Sequence, residues 1–202
     1  VIAVGVCLIG STACVREQLP NICPNIDAGE LVISELRGPQ DGDDSFGDYL
    51  EVYNAAGKTV DLQGLTVRLR SAGGDEIEFF VRESVEMTAG SYAVLGPKLE
   101  DERPNWMDYA IGWDGPTALL DYGSAFVELE ACGEPIDEMF YADGTLPVLG
   151  TLACGNAEDP PSADNNDDSQ AGCWCSDAGE ADGQPLFGVG LPGSPGGPNR
   201  CP

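Results

Sequence analysis

The chain has 202 residues, enough for one domain with a core of its own, and its 35 Asp and Glu against 9 Lys and Arg leave a formal net charge of −26. A field of that sign repels phosphate backbones and anionic lipid surfaces, which excludes nucleic acid as a partner. There is no histidine, and with it go the usual general base at neutral pH and the commonest transition-metal ligand.

Residues 1–10, VIAVGVCLIG, are an apolar run as long as a signal-peptide core and too short to cross a bilayer as a helix. Ser11 and Ala13 set small side chains at −3 and −1 relative to Cys14, so residues 1–13 read as part of a signal peptide cut before Cys14. The segment GSTAC is similar to a bacterial lipobox, with Ser11 where leucine is usual, and makes Cys14 the candidate lipid anchor. Cysteine parity agrees. Of eight cysteines, Cys7 leaves with the signal, and lipidation of Cys14 leaves six, Cys23, Cys132, Cys154, Cys173, Cys175 and Cys201, enough for three disulfides in an oxidising compartment. Cys173-Trp174-Cys175 lacks the paired CxxC knuckles of a zinc ribbon.

A linker, 14–29, precedes sequence of period two, in runs of five to eight residues broken by Gly, Pro, Asp and Asn. In order these are ELVISEL, DYLEVYN, LTVRLR, EIEFFV, SYAVLG, DYAIGW, AFVELEA and PIDEMFY, which predict about eight strands over 30–154. Leu50 and Val52 face one side of their strand, and Tyr49, Glu51 and Tyr53 the other. No segment carries a helical period with caps at both ends. KLEDERPNWMD has room for one turn before Pro104 stops it. The fold class is all-β, a sandwich or barrel.

The succession LVISEL, DYLEVYNAAGKTVDLQGLTV, AGSYAVLG and GEPIDEMFY resembles the lamin tail domain over residues 30–142, and LPGSPGGPNRC resembles the closing segment of its bacterial members. Glu51, Asn54, Asp61, Leu62 and Gly64 carry the likeness, with Leu65 where many members have Trp. The resemblance implies an immunoglobulin-like β-sandwich and a secreted or surface module used for binding or attachment, without catalytic residues of its own. By their chemistry these are shape residues: Asn54 tolerates a left-handed turn, Gly57 is free to take positive φ, and Gly64 admits the next strand without obstruction. Glu51 is expected on a solvated face, or paired with Arg68 or Arg70 across a hairpin.

Candidate chemistry is confined to acids. DGDDSFGD offers Asp41, Asp43, Asp44 and Asp48, and DNNDDS offers Asp164, Asn166 and Asp168 at the i, i+2, i+4 spacing of calcium loops. After Asp164 the loop has Ser169 where an EF-hand wants Gly and Cys175 where it wants Glu, so structural calcium stands beside a solvated loop as the expectation, and no other cofactor is implied. A Ser triad lacks its histidine, and oxidised cysteines are no nucleophiles.

Residues 155–202 are rich in Gly, Pro, Asn, Asp and Ser, with Trp174 and Phe187 as anchors and three cysteines that tether the segment to the sandwich. Cys173 and Cys175, one residue apart on extended chain, point to opposite sides and must bond elsewhere. A hairpin returning after AFVELEA is expected to join Cys132 to Cys154, leaving Cys23 and Cys201 for Cys173 and Cys175 in either order. Two functions fit. One is a non-catalytic lipoprotein of the bacterial cell envelope, or a secreted protein, that binds an extracellular protein or polysaccharide and touches membrane only through its lipid. The other is a secreted hydrolase, or hydrolase accessory, using clustered carboxylates with a divalent cation.

Overall fold

A computed structural model describes residues 22–42, 44, 46–112, 119–178 and 193–202. Among them the alternating runs become β1 (Leu31–Arg37), β2 (Tyr49–Asn54), β3 (Val60–Asp61), β4 (Thr66–Ser71), β5 (Glu76–Phe80), β6 (Glu86–Met87), β7 (Tyr92–Gly96), β8 (Tyr109–Ala110), β9 (Ala125–Ala131), β10 (Glu134–Tyr141), β11 (Thr151–Cys154) and β12 (Trp174–Asp177). A 3-10 turn, Glu100–Glu102, lies just before Pro104. A strand forms within each of the expected runs, although DYAIGW yields only the two-residue β8. The additional ones, β3, β6, β11 and β12, are two to four residues long, too short for alternation to register.

Six strands make one sheet in the order β12-β11-β1-β2-β7-β8, four make a second in the order β10-β9-β4-β5, and β3 pairs with β6. Only β7 and β8 run parallel. In chain order β3 falls between β2 and β4, and β6 between β5 and β7, so this small ribbon joins two of the connections between the sheets. NAAGKTVDLQG is therefore a crossover and not a hairpin. Ile33, Leu36, Leu50, Val52 and Leu95 of the larger sheet share one core with Val67, Leu69, Val127, Leu129 and Met139 of the smaller. Each such side chain gains about 1.5–3 kcal/mol on full burial, and the two inner faces hold a β-sandwich together.

The outer faces differ. β5 alternates exposed and buried along its whole length, as a half-buried strand should, whereas β1 is buried at all seven positions and β2 at five of six. The larger sheet is covered on both sides. Its outward row, Glu35, Arg37, Tyr49 and Glu51, lies inside the protein.

Disulfides join Cys23 to Cys132, Cys154 to Cys173 and Cys175 to Cys201, with Cα separations of 5.4, 4.8 and 5.6 Å. The expected Cys132–Cys154 pair does not form. Cys132 and Gly133, at φ 53° and 80°, make the two-residue turn of the β9–β10 hairpin, while Cys154 ends β11 in the other sheet. The hairpin tip takes Cys23, which therefore does not reach Cys173 or Cys175, and Cys173 takes Cys154. Cys201 bonds Cys175, one of the two partners open to it. The irregular C-terminal segment is thus tethered twice and lends β12 to the larger sheet. Such crosslinking marks an oxidising, extracellular or secreted setting.

The shape residues work differently from expectation in two cases. Asn54 has no left-handed backbone; its buried amide donates to the carbonyls of Lys58, Met87 and Thr88, each at 3.0 Å, and its oxygen accepts from the Ala56 N–H at 2.9 Å. Gly57 takes no positive φ. Gly64 does, at 93°, and a Cβ there would run into the Ile22 carbonyl, so it seats the N-terminal segment next to Cys23. Replacing Asn54 by Ala strips this connection of four bonds, one of them to the carbonyl of the buried Met87. Denaturant unfolding of Asn54→Ala should show a loss of about 2–4 kcal/mol, and a loss within experimental error would show that the amide holds nothing.

Candidate functional site

Two carboxylates stand side by side on the outer row of the larger sheet. Glu35 in β1 and Glu51 in β2 are register partners, and both are wholly inaccessible to solvent. Neither expectation for Glu51 holds: it is not on a solvated face, and Arg68 and Arg70 lie in the other sheet, bonded to Glu78 at 2.7 Å and Glu76 at 3.1 Å. What covers Glu51 is the closing segment, 193–201.

That segment is held by hydrogen bonds to the sheet. Glu51 Oε2 accepts from the Gly196 N–H at 2.7 Å and Glu51 Oε1 from the Ser34 hydroxyl at 2.7 Å. Glu35 Oε1 accepts from the Tyr49 hydroxyl at 2.7 Å and the Ser194 N–H at 3.2 Å. The Ser194 hydroxyl donates to Asp177 at 2.6 Å, and the Asn199 amide donates to the Ser34 and Cys154 carbonyls at 2.8 and 2.9 Å. Gly193, at φ 78°, lies so close to Glu35 and Thr151 that any side chain there would overlap them. A peptide of small residues is what lets backbone donors approach this far.

Burial outweighs these donors. It pushes Glu35 up to about 7, and it raises Glu51 well above the ordinary carboxylate value with the neighbouring Glu35 charge adding to it. Both carboxyls are thereby shifted toward the protonated form, and the closing segment lies over them. The pair ties the closing segment to the sheet.

In the two acidic loops, Asp44, Asp48 and Asn166 are drawn into the protein. Asp44 grips the buried Arg37 guanidinium at 2.7 and 3.0 Å; burial raises its carboxyl, but the Arg37 bonds and charge outweigh that and hold it below its usual value. Asp48 is buried and pushed up to about 6 by desolvation, Asp41 is exposed, and Asp43 lies outside the described residues. In the second loop Asp164 and Asp168 are exposed, but Asn166 is buried and donates inward to the Ile33 carbonyl at 3.2 Å and Asp137 at 2.8 Å. The bulge in β1 between Ile33 and Glu35 frees those backbone groups, and Asp137 accepts the Ile33 N–H at 2.7 Å. Asn166 thus serves the bulge through its amide nitrogen, while Asp164 and Asp168 face solvent. Among the described residues no group of three or more His, Cys, Asp or Glu is placed to hold a metal ion. Trp174 is half-buried against the core and donates to the Asn166 carbonyl at 2.7 Å; Phe187 and Cys14 lie outside the described residues.

The smaller sheet presents the opposite situation. Its outer face carries Arg68 between Glu78 and Glu130, at 2.7 and 2.6 Å, and Phe126 and Phe140 with ring centroids 4.9 Å apart. Phe126 and Phe80 remain 46% and 45% exposed, which makes this face the apolar-and-charged surface offered to solvent. Comparison with protein-family models and with curated proteins finds no match, and function has to be argued from these two faces. Sequence reasoning missed Glu35, Ser194 and Asn199. The available signal was a lone Glu in each of LVISEL and YLEVY, an ionisable side chain set in sequence that is otherwise buried.

The sign of the pH dependence follows from Glu35. Its folded value of about 7 exceeds the ordinary 4.5, so between them the folded state keeps a proton that the unfolded chain releases. Stability present at low pH is lost as pH rises through that window. Melting should be lower at about pH 8 than at about pH 5, by on the order of 5 °C. Glu35→Gln keeps an acceptor for Tyr49 and Ser194 while removing the titration, so the drop should shrink; an unchanged profile would remove Glu35 as its source.

Proposed function

We propose that this protein is a non-catalytic binding or attachment module of the bacterial cell envelope, related to the lamin tail domain, exported by its N-terminal signal and anchored through a lipid on Cys14. One observation carries the binding reading: the outer face of the four-stranded sheet leaves Phe80 and Phe126 exposed among charged side chains, where the other sheet is sealed on both sides. The disulfides agree with export. The residues behind the family likeness agree with a structural rather than a chemical use. Glu51 bonds the closing segment, Asn54 pins the crossover, Asp61 accepts from the Gln63 and Val85 N–H groups at 3.0 Å each, Leu62 is in the core, and Gly64 seats the N-terminal segment.

The hydrolase alternative needs two accessible carboxylates facing a cleft. The conspicuous buried pair, Glu35 and Glu51, has its oxygens turned to Tyr49, Ser34 and the closing segment, which weighs against that reading. The test is retention of envelope protein and polysaccharide on the immobilised, oxidised chain, run beside a hydrolysis assay on the same polysaccharides. Saturable retention without turnover is expected. Turnover that Glu35→Gln abolishes would overturn the binding reading.

Anchoring is tested separately. The mature protein should partition into the detergent phase, and Cys14→Ser should move it to the aqueous phase. Wild type recovered from the medium with an unmodified Cys14 thiol would count against the lipid.

A further inference from the structure

We propose that the outer face of the four-stranded sheet docks an arginine side chain of a partner protein, seated between the Glu128 and Glu138 carboxylates and the Phe126 and Phe140 rings. The proposal rests on the binding-module reading and names the chemistry of the partner. Strand register brings the four residues together, with Glu138 opposite Glu128 and Phe140 opposite Phe126 across β9 and β10. A shallow depression of about 230 Å³ is lined by Arg68, Arg70, Phe126, Glu128 and Glu138.

Charge decides the occupant. The cations in this depression are already engaged, Arg68 by Glu78 and Glu130 and Arg70 by Glu76. Among the described residues no ion pair reaches Glu128 or Glu138. Glu128 has Glu138 opposite it on β10 and Arg68 opposite it on β4, and the carboxylates that register places on this face, Glu76, Glu78, Glu128, Glu130 and Glu138, outnumber Arg68 and Arg70, so the face keeps an excess of like charge beside an aromatic ring that is nearly half exposed. A cation relieves the repulsion and is attracted to the ring face. Guanidinium does both, because its planar fork bonds carboxylates in pairs and lies flat on aromatic rings, whereas ammonium is a point charge. The interior already contains this arrangement: Arg37 forks onto Asp44 at 2.7 and 3.0 Å and lies 5.2 Å over the Phe46 ring. On the outer face the guanidinium groups already present, Arg68 and Arg70, are bonded to Glu78, Glu130 and Glu76, so one that forks onto Glu128 and Glu138 comes from another molecule. The net charge of −26 draws basic partners toward the whole surface; a neutral glycan would leave the Glu128–Glu138 repulsion in place.

The test is calorimetric titration of the full oxidised chain with hexa-arginine, hexa-lysine and hexa-glutamate peptides at physiological salt, with amide shifts mapped by NMR. Because so acidic a protein attracts any polycation, a matched control is needed. Asp101→Asn/Glu102→Gln removes the same charge from the exposed 3-10 turn. Glu128→Gln/Glu138→Gln and Phe126→Ala should each weaken hexa-arginine binding by at least about fivefold, with the control changed by less than about twofold and hexa-lysine bound more weakly throughout. Shifts should concentrate on β9 and β10. Equal weakening by the control, or none from Glu128→Gln/Glu138→Gln, would overturn the proposal. If the immobilised chain retains envelope material equally with and without these substitutions, the module reading stands and the arginine site falls. If hexa-arginine binds this face while no envelope material is retained, the site stands and the module reading falls.

Discussion

Two carboxylates out of reach of water set the terms for much of this molecule. Glu35 and Glu51 are adjacent in the middle of the larger sheet, and a carboxyl group removed from solvent without hydrogen-bond donors costs several kcal/mol or more. The donors come from Ser34, Tyr49 and the N–H groups of Ser194 and Gly196. The closing segment must therefore lie flat on the sheet. Gly193 is required where it approaches Glu35 and Thr151, and the Cys175–Cys201 disulfide and the Asn199 amide fix the far end. A C-terminal stretch poor in apolar residues is ordered by polar satisfaction and crosslinking, with little core of its own.

The same economy appears wherever the backbone departs from regular pairing. The β1 bulge frees the Ile33 N–H and carbonyl, which are taken up by Asp137 from the other sheet and by Asn166 from the loop after β11. The crossover after β2 is held by one buried amide, Asn54, and the segment before β2 by the Arg37 guanidinium, which bonds Asp44 and the Gly47 carbonyl. Polar side chains in this protein are mostly fasteners between irregular segments and sheet. Among the described residues Glu35, Glu51, Asp44, Asp61 and Asp137 are carboxylates held in this way.

Strand content was legible because each long strand alternates apolar and polar residues, and a run such as EIEFFV has one natural buried face, Ile77 and Phe79. The sandwich, the absence of long helix among the described residues and the tethering of the tail follow from such local patterns and from cysteine parity. The inward turn of Asn166 was not legible in the acidic spacing of its loop for a definable reason: spacing says which residues share a side of the chain, but not what lies on that side. Asn166 turned inward because a bulge in a strand more than a hundred residues away needed its amide.

Sequence alone determined the number and approximate limits of the long strands, the oxidising setting and the sign of the field, since these depend on composition and on neighbours within a few residues. Tertiary structure alone decided that Glu51 is inside, that Cys132 bonds Cys23 and that Glu128 faces Glu138. Each of those depends on which strand lies beside which, and on what a distant segment covers. Alternation is the same for a strand face open to water and for one later roofed by a peptide, so only the docking of residues 193–201 turns a solvent-facing pattern into a buried one.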